Sequence, residues 1–318
     1  MSSPHGTRKV IYAALAGNGL IAITKFIASG ITGSSAMFSE AIHSVVDTGN
    51  QVLMLYGLKR ASRPADARHP FGYSMELYFW TFVVAILIFS LGAGFSLYEG
   101  VSKLSNPHPI EKPFVNYIVL GIAIIFEGAA WAVAFKEFRK TKGTLGYIKA
   151  VQRSKDPTVF TVLFEDSAAM LGLIAAFIGV GLTQLTGNPI FDAIASIGIG
   201  IILACTAAVL SYESKGLLIG EAARPAVIGN IRKLVNNREG IISINELLTM
   251  HFGPHDILLN LSIDFVDGIS ASEVEALISE LEVDIKSAHP EITRVFIEAQ
   301  SWRGHDDNLR ANYNSPTN

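Results

Sequence analysis

SSAMFSEAIHSVVDTGNQVLMLYGLKR, residues Ser34 to Arg60, is the stretch that decides how the rest of the chain is read. It is mostly apolar and long enough to cross a bilayer, yet its middle carries Glu40, His43, Asp47 and Asn50. His43 and Asp47 are four residues apart, so a helix stacks them on one face, one turn above the other. An imidazole and a carboxylate so placed can supply two ligands to a divalent metal. Ionisable side chains inside a membrane are costly and by default mark a substrate or ion path. The alternative is a satisfied polar set bonded to neighbouring helices.

The surrounding chain supports a membrane setting. Of 318 residues, 50% are hydrophobic and only 17% are charged, against about 25% charged in an average soluble domain. Apolar segments cover residues 10–30, 34–58, 76–102, 113–135, 158–185 and 189–212. Each is near or above the roughly 20 residues a spanning helix needs, which predicts six spans. The formal net charge of −3 gives no case for nucleic-acid binding. A single cysteine, Cys205, excludes a disulfide framework and a cysteine metal cluster.

Basic residues set the expected orientation. Arg8 and Lys9 precede the first span, and Lys59, Arg60, Arg63 and Arg68 follow the second. Lys136, Arg139, Lys140, Lys142, Lys149, Arg153 and Lys155 follow the fourth, while the alternate loops near residues 33 and 186 carry no charge. The positive-inside rule then predicts that both termini are cytoplasmic. The opening MSSPHGTRK reads as too short and polar for a cleaved signal, which makes a bacterial inner membrane the simplest placement.

The pattern changes after Lys215, giving an expected membrane domain over 1–215 and a cytoplasmic domain over 216–303. RPAVIGNIRKLVNNREG reads as an amphipathic helix, and INELLTMHFGP and DILLNLSIDFVDG as two strands joined near Gly253-Pro254. SASEVEALISELEVDIKSAHP opens with a Ser/Glu capping pattern and has helical spacing, and TRVFIEAQSW reads as a last strand. This order predicts a small α+β domain. Residues 304–318, GHDDNLRANYNSPTN, read as a disordered tail.

The SEAIHSVVD core, followed by a basic loop ending in DARHPFGYS, resembles the cation diffusion facilitator family of proton-coupled divalent-metal exporters. The resemblance covers nearly the whole chain. It implies six transmembrane helices, a ferredoxin-like cytoplasmic domain and a homodimer. It also implies a tetrahedral transport site with two residues four apart in the second span and two in the fifth. His43 and Asp47 match the first pair. In the fifth span, TVLFEDSAAMLGLIAAFIG, the downstream glycines align Glu165 and Ala169 with the second pair, so one family ligand is replaced and the other is missing. Asp166 is adjacent to Glu165 but about 100° round the helix. LFEDSAAMLG, with RSKDP before it and TGNPIFD after it, resembles the divergent branch that includes the animal mitochondrial zinc transporter. Asp66 and His69 fall where the family has a second, loop-borne metal site, with Tyr73 at the position of a third ligand.

Nitrogen and carboxylate donors suit zinc, with manganese or iron(II) as the alternatives, and no thiolate favours copper(I). Metal loading requires neutral His43 and ionised carboxylates, so it displaces protons and offers a mechanism for antiport. Asn18 and Asn50 are candidate outer contacts to the ion. Glu127 and Asp192 read as structural, Glu40 and Glu99 as solvated near the outer surface, and Lys25 as a buried cation in need of a partner. In the soluble domain His251, His255, Asp256 and His289 are candidate ligands for a regulatory metal at a dimer interface. Neither HExxH nor a nucleophile elbow is present, which argues against an enzyme. No resident cofactor is expected; the metal is cargo, protons are the counter-ion and the bilayer is the surrounding partner. The missing ligand at Ala169 leaves a non-transporting regulator as the rival reading.

Overall fold

The computed structural model describes residues 4–143, 146–152 and 154–314. They form two compact units, one running up to Lys215 and one starting at Gly216.

The first unit is helical: α1 (Pro4–Thr32), α2 (Ser35–Ala61), α3 (Glu76–Leu87), α4 (Gly94–Ser105), α5 (Pro113–Thr141), α6 (Tyr147–Gln152), α7 (Pro157–Thr186) and α8 (Ile190–Ile219). A π-helical stretch, Ile88–Ala93, joins α3 to α4 without a break. Among the described residues, four helices are long and apolar enough to cross a membrane: Glu76–Ser105, Pro113–Lys140, Phe160–Thr186 and Ile190–Ile219. At 29 and 27 residues, α1 and α2 are of similar length. Glu40, His43, Asp47 and Asn50 dilute the hydropathy of α2, so composition alone does not mark it as a span.

Local chemistry fixes the helix ends. Gly33 takes φ +62°, a left-handed conformation that turns the chain out of α1. Ser34 then caps α2, its side chain accepting from the Met37 amide. Asp156 caps α7 in the same way, with Pro157 at the first helical position. The close approach of α4 to α8 depends on Gly100. A Cβ there would lie 2.9 Å from the Ala193 carbonyl oxygen and 2.9 Å from the Ile197 nitrogen, the small-residue contact that membrane helices use to pack. On α5, Ile122, Ile125, Phe126 and Val133 are exposed, an apolar surface suited to lipid.

The second unit contains α9 (Pro225–Asn236), β1 (Ile241–Gly253), β2 (Asp256–Phe265), α10 (Ala271–Ala288), β3 (Ile292–Ala299) and α11 (Trp302–Asn314). The sheet order is β1-β2-β3. β1 pairs antiparallel with β2, Leu247 opposite Leu261, and β2 pairs parallel with β3, Leu259 opposite Val295. Alternate β2 residues Ile257, Leu259, Leu261 and Ile263 share one face and meet Ile231 and Val235 of α9 and Leu281 and Ile285 of α10. A capping box between Ser270 and Glu273 starts α10.

The disordered tail expected from residue 304 is not seen: α11 continues to Asn314, and residues 315–318 lie outside the described chain. The Trp302 amide donates to Asp264 at 3.1 Å, the Gly304 amide donates to Ser301 Oγ at 3.3 Å, and His305 is buried. These contacts anchor a polar segment whose composition alone gives no reason to order.

Candidate functional site

The helix α2 sets His43 and Asp47 together as its periodicity requires. His43 Nε2 lies 3.3 Å from Asp47 Oδ2, close but not aligned as a hydrogen bond. His43 is 1% exposed. Its two ring nitrogens and Asp47 Oδ1 have no hydrogen-bond partner among the described residues. Each such buried group left unsatisfied costs about 1–3 kcal/mol, so these atoms are suited to an incoming donor or cation. One turn further along α2, Asn50 Nδ2 donates to Glu165 Oε1 at 2.8 Å and so ties α2 to α7.

Asp47, Glu165, Asp166 and Asn18 line a single cavity of about 650 Å³, together with Ser44, Gln51, Glu127 and Ala169. Its walls come from α1, α2, α5 and α7. Asn18, Asp47 and Glu127 sit near the middle of α1, α2 and α5, while Val133 and Ala134 toward the end of α5 and Val162 near the start of α7 carry the lining further, so the cavity runs from mid-bundle toward the basic loops. Among the described residues, no three His, Cys, Asp or Glu side chains gather closely enough to hold a metal ion. His43 and Asp47 are adjacent and Glu165 is nearby through Asn50, but the expected donors do not converge.

Two buried lysines organise the bundle around this cavity. Lys25 is fully buried, and its ammonium donates to Glu40 at 3.1 Å, Ser44 at 2.8 Å and Glu127 at 2.8 Å. Glu40 is thus not solvated as expected: it is fully buried as a partner of Lys25, because an ammonium inside an apolar bundle must be neutralised. At the opposite end from the cavity, Lys103 donates to Asp192 and to the Gly33 carbonyl, both at 2.7 Å. The Asp192 carboxylate also accepts from the Ser34 hydroxyl at 2.6 Å and the Ser35 amide at 2.7 Å. It therefore sits at the positive end of α2 and links α2, α4 and α8. Glu99 accepts from the Ser35 hydroxyl at 2.8 Å at the same end, so it is engaged rather than simply solvated.

In the 62–75 loop, Asp66 accepts from the Tyr73 hydroxyl at 2.6 Å and from the Arg68 and His69 amides at 2.9 and 2.7 Å. The Tyr73 bond, followed by the His69 and Arg68 amides, holds the Asp66 carboxyl below the usual carboxylate range. The His69 ring packs on Tyr73 with centroids 4.2 Å apart. Both oxygens of Asp66 accept hydrogen bonds that shape the turn.

The four candidate regulatory residues of the second unit lie apart within one chain. His251 Nδ1 lies 3.0 Å from the Gly253 carbonyl, and Asp256 is bonded to Thr293 and lies 3.7 Å from Arg294. His255 is exposed in the turn, and His289 lies 3.5 Å from Glu291. These four residues are held by local hairpin and strand contacts rather than gathered around a common centre.

Residues 11–219 match the family model described as the cation efflux transmembrane domain. Over 262 residues, 82% of this chain, the sequence is 36% identical to the proton-coupled zinc antiporter SLC30A9, mitochondrial, of Xenopus laevis, covering 47% of that protein. The human protein of the same name is also 36% identical over 262 residues, covering 82% of this chain and 46% of its own length. Metal tolerance protein C4 of Arabidopsis thaliana is 32% identical over 261 residues, 81% of this chain and 57% of that protein. The chain thus spans about half the length of these curated relatives. The resemblance read from LFEDSAAMLG to the branch of the animal mitochondrial zinc transporter is borne out by these matches.

Proposed function

Because this chain belongs to the cation efflux family, we propose that it exports a divalent metal cation, zinc first, through a membrane by alternating access in exchange for protons. Transport rather than catalysis is the activity of the family. The single observation that carries the proposal is the cavity of about 650 Å³ lined by Asp47, Glu165 and Asp166 beside the orphaned ring of His43. Carboxylate and imidazole donors left unsatisfied at bilayer depth fit an ion that arrives and departs. The relatives' names, which specify a zinc antiporter and a metal tolerance protein, agree with zinc as cargo, with manganese or iron(II) as the alternatives.

In this reading α1, α2, the continuous α3–α4 rod, α5, α7 and α8 are six spans, and both termini are cytoplasmic. The basic loops support a cavity that extends toward the cytoplasmic side, with Lys103 and Asp192 closing the opposite end. In this reading the conformation is inward-facing. His43, Asp47 and Glu165 are the transport donors, with Asp166 and Asn18 beside them. The αββαβ order of the second unit, with α9 and α10 on one sheet face, supports a ferredoxin-like module that pairs two copies into a homodimer.

His43 must be neutral and the carboxylates ionised when metal binds, so loading releases protons. Zinc added to the purified protein in weakly buffered detergent is expected to acidify the solution in proportion to the protein, and Asp47→Ala is expected to abolish the signal. Saturable zinc binding with no proton release would contradict proton coupling.

A further inference from the structure

We propose that Glu127 of α5 supplies the metal donor that is missing at Ala169, with Lys25 holding the Glu127 carboxylate in place from behind. This rests on the transport reading above, in which His43, Asp47 and Glu165 hold the cargo. Three observations carry it.

Glu127 and Ala169 line the same cavity as Asp47, Glu165 and Asp166. The α5–α7 register brings them to neighbouring levels: Trp131 Nε1 donates to Ser167 Oγ at 3.0 Å, and a Cβ on Gly128 would lie 3.7 Å from the Met170 side chain. Glu127 therefore projects into the cavity within about a turn of the space where the methyl of Ala169 leaves room for a longer side chain from across it.

The two oxygens of Glu127 are used differently. Oε1 accepts from Lys25 at 2.8 Å, whereas Oε2 is buried and has no hydrogen-bond partner among the described residues. A carboxylate fixed through one oxygen with the other free is the arrangement of a metal ligand supported from its outer side.

Lys25 does not depend on Glu127 for neutralisation. It already pairs with Glu40 and donates to Ser44, and Lys25 itself does not line the cavity. A second carboxylate on the same ammonium, turned toward the cavity, is surplus to a purely structural ion pair. It is explained if that carboxylate also meets the cargo. Lys25 is thus a positioning residue and Glu127 a donor.

Zinc titrated into the purified full-length chain tests the assignment, with Asp47→Ala as the reference for the parent reading. Glu127→Gln is expected to weaken zinc binding by at least about 10-fold, whereas Glu137→Gln, on the exposed end of the same helix, is expected to change it by no more than about twofold. Adding Ala169→Asp to Glu127→Gln returns the donor from α7 and is expected to recover most of the lost affinity, which a merely structural role for Glu127 does not predict. If Glu127→Gln fails to fold with Lys25 left partly unpaired, Lys25→Met combined with Glu40→Gln and Glu127→Gln neutralises the whole buried cluster together and is expected to show the same loss and the same rescue. Affinity within twofold of wild type in the Glu127 variants, while Asp47→Ala abolishes binding, would overturn this inference and leave the transport site standing. Unchanged binding in Asp47→Ala would instead overturn the transport site itself.

Discussion

Replacing Asp192 with asparagine removes one partner from a fully buried ion pair while leaving the other in place. Lys103 and Asp192 are both 0% exposed at the side chain and 2.7 Å apart. After the substitution the Lys103 ammonium keeps the Gly33 carbonyl but no counter-charge. Breaking a buried pair from one side costs about 3–5 kcal/mol, because the remaining charge stays desolvated. The lost interaction with the start of α2 adds about 0.3–1 kcal/mol. A loss of at least 3 kcal/mol corresponds to a folding equilibrium lower by about two orders of magnitude. The assay is unfolding of the purified chain in mixed micelles of rising SDS content, followed by tryptophan fluorescence. Lys103→Met combined with Asp192→Asn removes both charges and is expected to recover most of the loss, since a buried pair is worth little relative to a neutral replacement. A single variant within 0.5 kcal/mol of wild type, or a double variant as unstable as the sum of the singles, would refute the reasoning.

Other contacts lead to smaller or local effects. Gly100→Ala forces a Cβ against the α8 backbone, where the neighbours are 2.9 Å away, and is expected to cost about 1–3 kcal/mol in the same assay; unchanged stability would mean that α4 and α8 are not in contact there. Ser270→Ala removes the cap of α10 and is expected to lower the stability of the second unit by about 1 kcal/mol, read as faster amide exchange in the first turn of α10. Tyr73→Phe removes the largest cause of the lowered Asp66 pKa, so the Asp66 titration should move up toward the usual carboxylate range of about 3.9. The sign is that of a depressed acid: the contribution of Asp66 to the turn is present above its unfolded value and is lost as pH falls through the lower folded one. Carboxyl NMR follows this directly, and an unshifted Asp66 would remove the Tyr73 bond from the explanation.

Local patterns were legible in the sequence where a single helix or strand carries them. The four-residue spacing of His43 and Asp47 becomes a contact of 3.3 Å, and the hairpin break at Gly253-Pro254 separates β1 from β2. What the sequence could not display are pairings between distant helices. Lys25 meets Glu40 at a separation of 15 residues and Glu127 at 102, and Asp192 meets Lys103 at 89. Each of these was a lone charge in an apolar run, and opposite signs buried in different spans are the only signal that could have matched them. A solvated and a paired Glu40 give the same sequence. The polar 304–314 segment is the converse case: its order comes from docking to Asp264 and Gln300, not from apolar periodicity.

The most direct test is metal flux in reconstituted vesicles under an imposed pH gradient, comparing zinc, manganese and iron(II) for the wild type, Asp47→Ala and Glu165→Ala. Transport through the α2–α7 cavity predicts zinc uptake that collapses when the gradient is dissipated and is abolished by both substitutions. Folded wild-type protein that binds zinc but moves none of the three metals would contradict it and favour a non-transporting regulator.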